Sequence, residues 1–400
     1  MFAQSPSETP LARTMTSTKT LSAIALMLLL SVGLFAQQED SEKIKVLRAH
    51  YETAQTFERA GNWGKAAEEW TALLMLAPED ARAWTNLGVA LNRQDKTAEA
   101  LAAWDRAIKI DPKLSGAHFN IGLIFVKEGK FAEAVMPLRR ALALESTNDG
   151  ARRALALALI GSERFREASR EIAQLLIHSP RDPGLLEMAA QNFLRQGRFD
   201  EATIVLRRHL DIDPTSSKLW SQYGDALDGS ARTPEATIAY EKAVELDPES
   251  TLFRYGLGYL YWKLYRYEEA ERELTEVLRR DPQNASAAFT LGDLYLTKGL
   301  ASRSQPLLEK AAAAFPKEFD TRFALGRALV LQGDVTRGVV ELRAAVLLND
   351  SIADGHYQLG RALMRAGEKE EAKRELEKAR ELQQQRRSAE AERFLKKLPY

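Results

Sequence analysis

The chain is 400 residues long, and its 56 Lys and Arg balance 56 Asp and Glu, so no basic excess marks it for nucleic acid. Cysteine is absent, which excludes disulfides, thiolate metal sites, a cysteine nucleophile and an acylated cysteine anchor.

From the N-terminus, the uncharged apolar run Leu21 to Phe35 follows Arg13 and Lys19 and gives way to Ala36 and the polar Gln37, Gln38, Glu39 and Asp40. A basic start, an apolar core and a small-residue exit predict a secretory signal sequence over 1–36. Met15 offers an alternative start, and Ser31 and Gly33 an alternative cleavage site. An uncleaved anchor over 21–36 is the other reading, although its 15-residue core is short of the roughly 20 residues a spanning helix needs. Either way the rest of the chain is expected outside the cytoplasm, periplasmic or secreted, touching a membrane only through this segment.

After a polar lead-in over 37–46, a 34-residue period begins at Leu47 and runs without insertion through ten repeats to residue 386. Position 8 of each repeat is small: Gly88, Gly122, Gly224, Gly258, Gly292, Gly326 and Gly360, with Ala54, Ala156 and Ala190. Position 20 is alanine except at Ser304 and Gly338, and position 24 is large, as at Trp104, Leu138, Tyr240 and Leu274. Apolar residues at positions 4, 7, 8 and 11 and then 20, 24 and 27 predict two helices per repeat, each with one buried stripe, crossing where positions 8 and 20 meet. Prolines at 78, 112, 180, 214, 248, 282 and 316 end the second helices, because proline cannot continue a helix. Pro137 and Pro306 fall inside second helices and are expected to bend them.

Glu52, Thr53 and Gln55 make the first repeat a water-facing cap. Residues 387–400 are expected to extend the last helix or form a capping helix, with Phe394, Leu395 and Leu398 covering repeat ten.

Segments such as AWTNLGVALNRQDKTAEALAAWDRAIKIDP (83–112) and YGLGYLYWKLYRYEEAERELTEVLRRDP (255–282) resemble the tetratricopeptide repeat family over residues 47–386. The resemblance implies an all-α fold, a right-handed α-solenoid of ten helical hairpins, with the first helices lining a concave groove through positions 2, 5, 9, 12 and 13. On that basis, Phe119, Leu123, Val126, Leu157 and Ile160 form one apolar groove stretch, with Arg153 beside them. Glu187, Gln191, Arg195, Lys218, Ser221, Asp225 and Asp228 form a polar interruption. Tyr255, Tyr259, Trp262, Phe289, Phe323, Arg327, Tyr357 and Arg361 form a second stretch, joined by Leu252, Val330 and Leu331, with Tyr255, Phe289, Phe323 and Tyr357 expected as a line of rings. The basic row Arg59, Arg93, Lys127, Arg195, Lys263 and Arg365 at position 13 is a common family choice. Position 9 never carries asparagine and position 5 never lysine, which argues against the carboxylate clamp of some relatives.

No catalytic constellation stands out. Of His50, His118, His178, His209 and His356, none has metal-ligand spacing, and three occupy repeat position 4, which predicts a packing or rim role. Gly256 and Gly258 fall mid-helix and read as packing glycines rather than a dinucleotide loop. The expectation is a non-catalytic envelope scaffold without cofactor or metal, holding a protein or peptide segment with apolar side chains. Envelope polysaccharide stacked on the aromatic faces is the rival.

Overall fold

The computed structural model describes residues 41–395, with side-chain surroundings through residue 393; the signal-like segment 1–36 lies outside the described residues. Every described element is a helix, and none of the described helices is long and apolar enough to cross a membrane. The chain divides into two compact parts at Pro180. The N-terminal part holds α1 (41–59), α2 (Trp63–Leu76), α3 (Ala81–Asn92), α4 (Thr97–Ile110), α5 (Ser115–Lys127), α6 (Phe131–Leu144), α7 (Asp149–Gly161) and α8 (Phe165–His178). The C-terminal part holds α9 (Pro183–Arg195), α10 (Phe199–Leu210), α11 (Ser217–Gly229), α12 (Thr233–Leu246), α13 (Thr251–Lys263) and α14 (Tyr267–Arg280). It continues with α15 (Ala285–Thr297), α16 (Ala301–Ala314), α17 (Phe319–Gln332), α18 (Val335–Leu348), α19 (Ala353–Ala366) and α20 (Lys369–Leu395). Odd-numbered helices are the first helices of the repeats, and within each part every helix packs on its sequence neighbours.

The hairpin crossing follows from sterics. A Cβ added at Gly224, Gly258, Gly292, Gly326 or Gly360 would fall 2.6 to 2.9 Å from the position-24 side chain of its own repeat, and the same residue pair meets at Gly88 with Trp104 and Gly122 with Leu138. Position 8 therefore seats the large side chain at position 24 as well as facing position 20. The position-20 contact is direct where Ser304 Oγ donates to the Gly292 carbonyl at 2.7 Å. Trp104, Leu138, Leu274 and Leu308 are almost wholly buried at these crossings. Gly256 is a packing glycine too, set against the Tyr240 ring.

Between the two helices of every repeat, position 15 adopts a left-handed backbone. Six repeats use glycine there, with φ from 67° to 92°, while Asp95, Glu163, Ala231 and Tyr265 hold φ 60° without it. A left-handed conformation is unfavourable for a residue with a Cβ, so these four turns carry local strain.

Position 4 acts as a fastener in most repeats, though not where it is Leu186 or Ala288. Its side chain donates to the carbonyl six residues upstream, at the end of the preceding second helix: Trp84 to Pro78 at 2.9 Å, Arg152 to Ser146 at 2.7 Å, Trp220 to Pro214 at 2.8 Å and Arg254 to Pro248 at 2.9 Å. Arg152, Arg254 and Arg322 also pair with Glu171, Glu273 and Glu341 on the second helix of the same repeat, at 2.6 to 2.8 Å. His356 makes the same two contacts, Nδ1 to Glu375 at 2.6 Å and Nε2 to the Asp350 carbonyl at 2.9 Å. His356 is thus a packing group, while His50 and His118, half-exposed, sit at the rim.

Helices α6 and α16 run through Pro137 and Pro306 without a break. Residues 41–46 of the lead-in already belong to α1. At the far end, of the two expected forms the structure shows extension: α20 is one continuous helix across residue 386, and its turns from 383 to 393 are exposed. The side chains of Phe394 and Leu395, and all of Leu398, lie outside the described residues.

Candidate groove surface

In the N-terminal part, α5 and α7 pack side by side and carry the same register positions. Leu123 and Leu157, both at position 9, keep 37% and 41% of their surface in water, although the flanking Ile121, Ile124, Leu155 and Leu159 are buried. Helical spacing explains the contrast, since positions 7, 10 and 11 turn toward the core while position 9 points away. Phe119, Val126, Arg153 and Ile160 are half-buried beside them.

In the C-terminal part, the polar interruption is paired internally. Lys218 Nζ meets Glu187 at 3.0 Å, and Lys263 Nζ meets the Asp228 carboxylate at 2.6 and 2.8 Å. Tyr240 donates its hydroxyl to Asp225 at 2.5 Å. Crowding by protein pushes the Asp225 carboxyl above its ordinary range, the tyrosine hydroxyl opposes this, and the nearby Asp228 adds to it. Ser221, expected in the groove, is buried and donates to the Lys218 carbonyl, because a hydroxyl this short bonds back to its own helix.

Within the aromatic stretch, ring contacts run along single helices. Tyr255, Tyr259 and Trp262 contact one another along α13, at centroid distances of 6.4 and 5.6 Å, and Phe319 stacks on Phe323 within α17 at 5.2 Å. Residues three or four apart on one helix have Cβ atoms about 5–6 Å apart, whereas neighbouring helix axes stand about 8–10 Å apart. Rings therefore pair along a helix more readily than from one position 5 to the next. Tyr255, Trp262, Phe289 and Phe323 are half-buried against the core, while Leu252, Tyr259, Leu331 and Tyr357 are exposed.

One groove residue escaped the sequence reading. Asp293, at position 9 of α15, accepts the Trp262 Nε1–H at 3.2 Å. Burial by surrounding protein raises its pKa above the ordinary range, against the pull of Arg327 and of that N–H. The only available signal was an acid at position 9, shared with Asp225 and set between Tyr259 and Arg327 of the neighbouring repeats. Arg327 and Arg361 lie over the Phe323 and Tyr357 rings at 5.4 and 5.6 Å, as cations commonly do over aromatic faces. Among the described residues no cluster of histidine, aspartate and glutamate has the arrangement of a metal site.

Tetratricopeptide repeat models match residues 51–115, 153–217, 229–291, 289–354 and 353–386. The chain belongs to the tetratricopeptide repeat family, an α-solenoid family of protein-interaction scaffolds. A search of curated proteins finds no match. Among solved structures, a tetratricopeptide repeat protein from Parabacteroides merdae is 18% identical, covering 66% of this chain and 98% of its own, with a TM-score of 0.48. MamA from Desulfovibrio magneticus is 21% identical, covering 42% and 96%, with a TM-score of 0.39. YrrB, described as a TPR protein with an unusual peptide-binding site, is 22% identical, covering 44% and 92%, with a TM-score of 0.40.

Proposed function

We propose that the chain is an exported, non-catalytic scaffold of the cell envelope that holds an apolar protein segment, extended or helical, on the exposed face of its first helices. The observation that carries this reading is the pair Leu123 and Leu157, large apolar side chains left in water at matching positions of adjacent helices. Contiguous exposed apolar surface on a folded protein commonly marks an interface. The polysaccharide reading finds less support, because a sugar ring needs a free aromatic face and Tyr259 and Trp262 stack on each other.

The test is a paired capture from an envelope fraction, using wild type and Leu123→Asp/Leu157→Asp. A partner retained by wild type and lost by the variant at unchanged helicity supports the reading; equal retention overturns it. Binding of the purified partner should show a negative heat capacity change, the mark of apolar burial. Export is tested in a Gram-negative host, where the mature chain is expected in the periplasm with an N-terminus near Gln37. Recovery of the full-length chain from the cytosol overturns that part of the proposal.

A further inference from the structure

Charges within the C-terminal part differ in how they are satisfied. Glu187, Asp225 and Asp228 have partners within the fold, in Lys218, Tyr240 and Lys263. Asp293 accepts from Trp262. Of the position-13 row, Arg59 donates to the Gln55 carbonyl and Lys263 meets Asp228. The far end of the groove face is different. Between α17 and α19 lies a cleft of about 160 Å³ into which Arg327, Arg361 and Arg365 converge, with Gln358 on one side and Val330 and Leu331 on the other. Among the described residues, no ion pair joins Arg361 or Arg365 to a carboxylate, and both are exposed. Arg327 has an acidic neighbour in Asp293, whose carboxylate is already bonded to Trp262.

Resting on the groove reading above, we propose that this cleft is a subsite for an acidic side chain of the bound protein segment, an Asp or Glu flanked by an apolar residue. The acid fits because guanidinium forks match a carboxylate in two-pronged geometry; the Gln358 amide already donates one hydrogen to Asp354 at 3.3 Å and has its second left to offer. The apolar neighbour fits because Val330 and Leu331 form the adjoining wall, and Leu331 is 55% exposed. Three cations gathered in one cleft repel one another, and a carboxylate between them removes that repulsion. The subsite would fix the direction and register of the segment, the usual contribution of charge complementarity to recognition. It differs from an asparagine and lysine clamp for a chain end, since arginine holds position 9 on both helices and an internal acidic side chain suffices.

The experiment is a synthetic array of 15-residue peptides of varied sequence, including phosphoserine versions, probed with wild type, Arg361→Ala/Arg365→Ala and Arg361→Glu/Arg365→Glu. Both substituted positions are exposed, and circular dichroism melting checks that the variants fold alike. Peptides retained by wild type should be enriched in Asp or Glu next to an apolar residue. Their signal should fall at least tenfold in the alanine variant, and the glutamate variant should shift the preference to Lys and Arg. Three results would overturn the subsite while leaving the groove reading intact: retained peptides with apolar but no acidic enrichment, acidic enrichment unaffected by the variants, or a preference for phosphoserine over glutamate. Retention of no peptide by wild type would overturn the groove reading and the subsite together.

Discussion

Helix pair α5 and α7 and helix pair α17 and α19 share one register and differ in what they present. At position 9 the first pair carries Leu123 and Leu157, and the second carries Arg327 and Arg361. The crossing beneath is the same in both, with Gly122 seating Leu138 and Gly326 seating Leu342. Positions that hold the hairpin together are therefore under steric constraint in either region, while the groove positions are free to vary. On the proposed reading, stability and recognition fall on different register positions of one repeat.

The crossing should fail in both regions alike. Gly122→Leu and Gly326→Leu each force a branched side chain into space already filled, an overpacking that costs about 3 kcal/mol or more when no cavity can absorb it. Chemical denaturation should show a comparable loss in each; an unchanged midpoint in either would show that the two crossings are not equivalent.

Half-buried and exposed groove aromatics should separate next. Phe289→Ala is expected to cost about 2 kcal/mol, roughly half the value for a fully buried phenylalanine, because its ring packs on the core around Leu296 and Leu308. Tyr357→Ala, at 40% exposure, should cost clearly less. Equal losses would mean that Tyr357 belongs to the packing and not to the open surface.

The turns offer a smaller effect of opposite sign. Ala231→Gly should stabilise by about 0.5 kcal/mol, since relief of a left-handed alanine, about 1–2 kcal/mol, exceeds the extra chain entropy of glycine. Gly333→Ala, at φ 92°, should destabilise. A lower denaturation midpoint for Ala231→Gly would count against strain at position 15.

Exchanges at position 9 should move stability least. Leu123→Arg and Arg361→Leu are each expected within about 0.5 kcal/mol of wild type, the usual range for exposed positions. Each should nevertheless weaken partner capture at least tenfold, about 1.4 kcal/mol of binding free energy.

What could be foreseen from sequence follows the same division. Small residues at positions 8 and 20, bulk at 24 and the terminating prolines recur because sterics allow few substitutes, so the hairpins were legible. Position 15 was not, because Asp95, Glu163, Ala231 and Tyr265 share its backbone shape without sharing glycine's chemistry. The position-4 fastener was hidden for a related reason: Trp84, Arg254 and His356 look unrelated by hydropathy and agree only in carrying an N–H. Groove candidates could be named by register, but their depth could not. Whether a ring such as Phe289 rests on the core or faces water depends on lateral distances between helices that a one-dimensional period does not contain.

Hydrogen–deuterium exchange of the chain, alone and with the captured partner, locates the recognition surface independently of any substitution. Added protection is expected on the first helices α5, α7, α17 and α19, centred on Leu123, Leu157, Leu331 and Arg361. Protection confined to the second helices α6, α8 and α18, or to the exposed end of α20, would contradict a binding face built from the first helices.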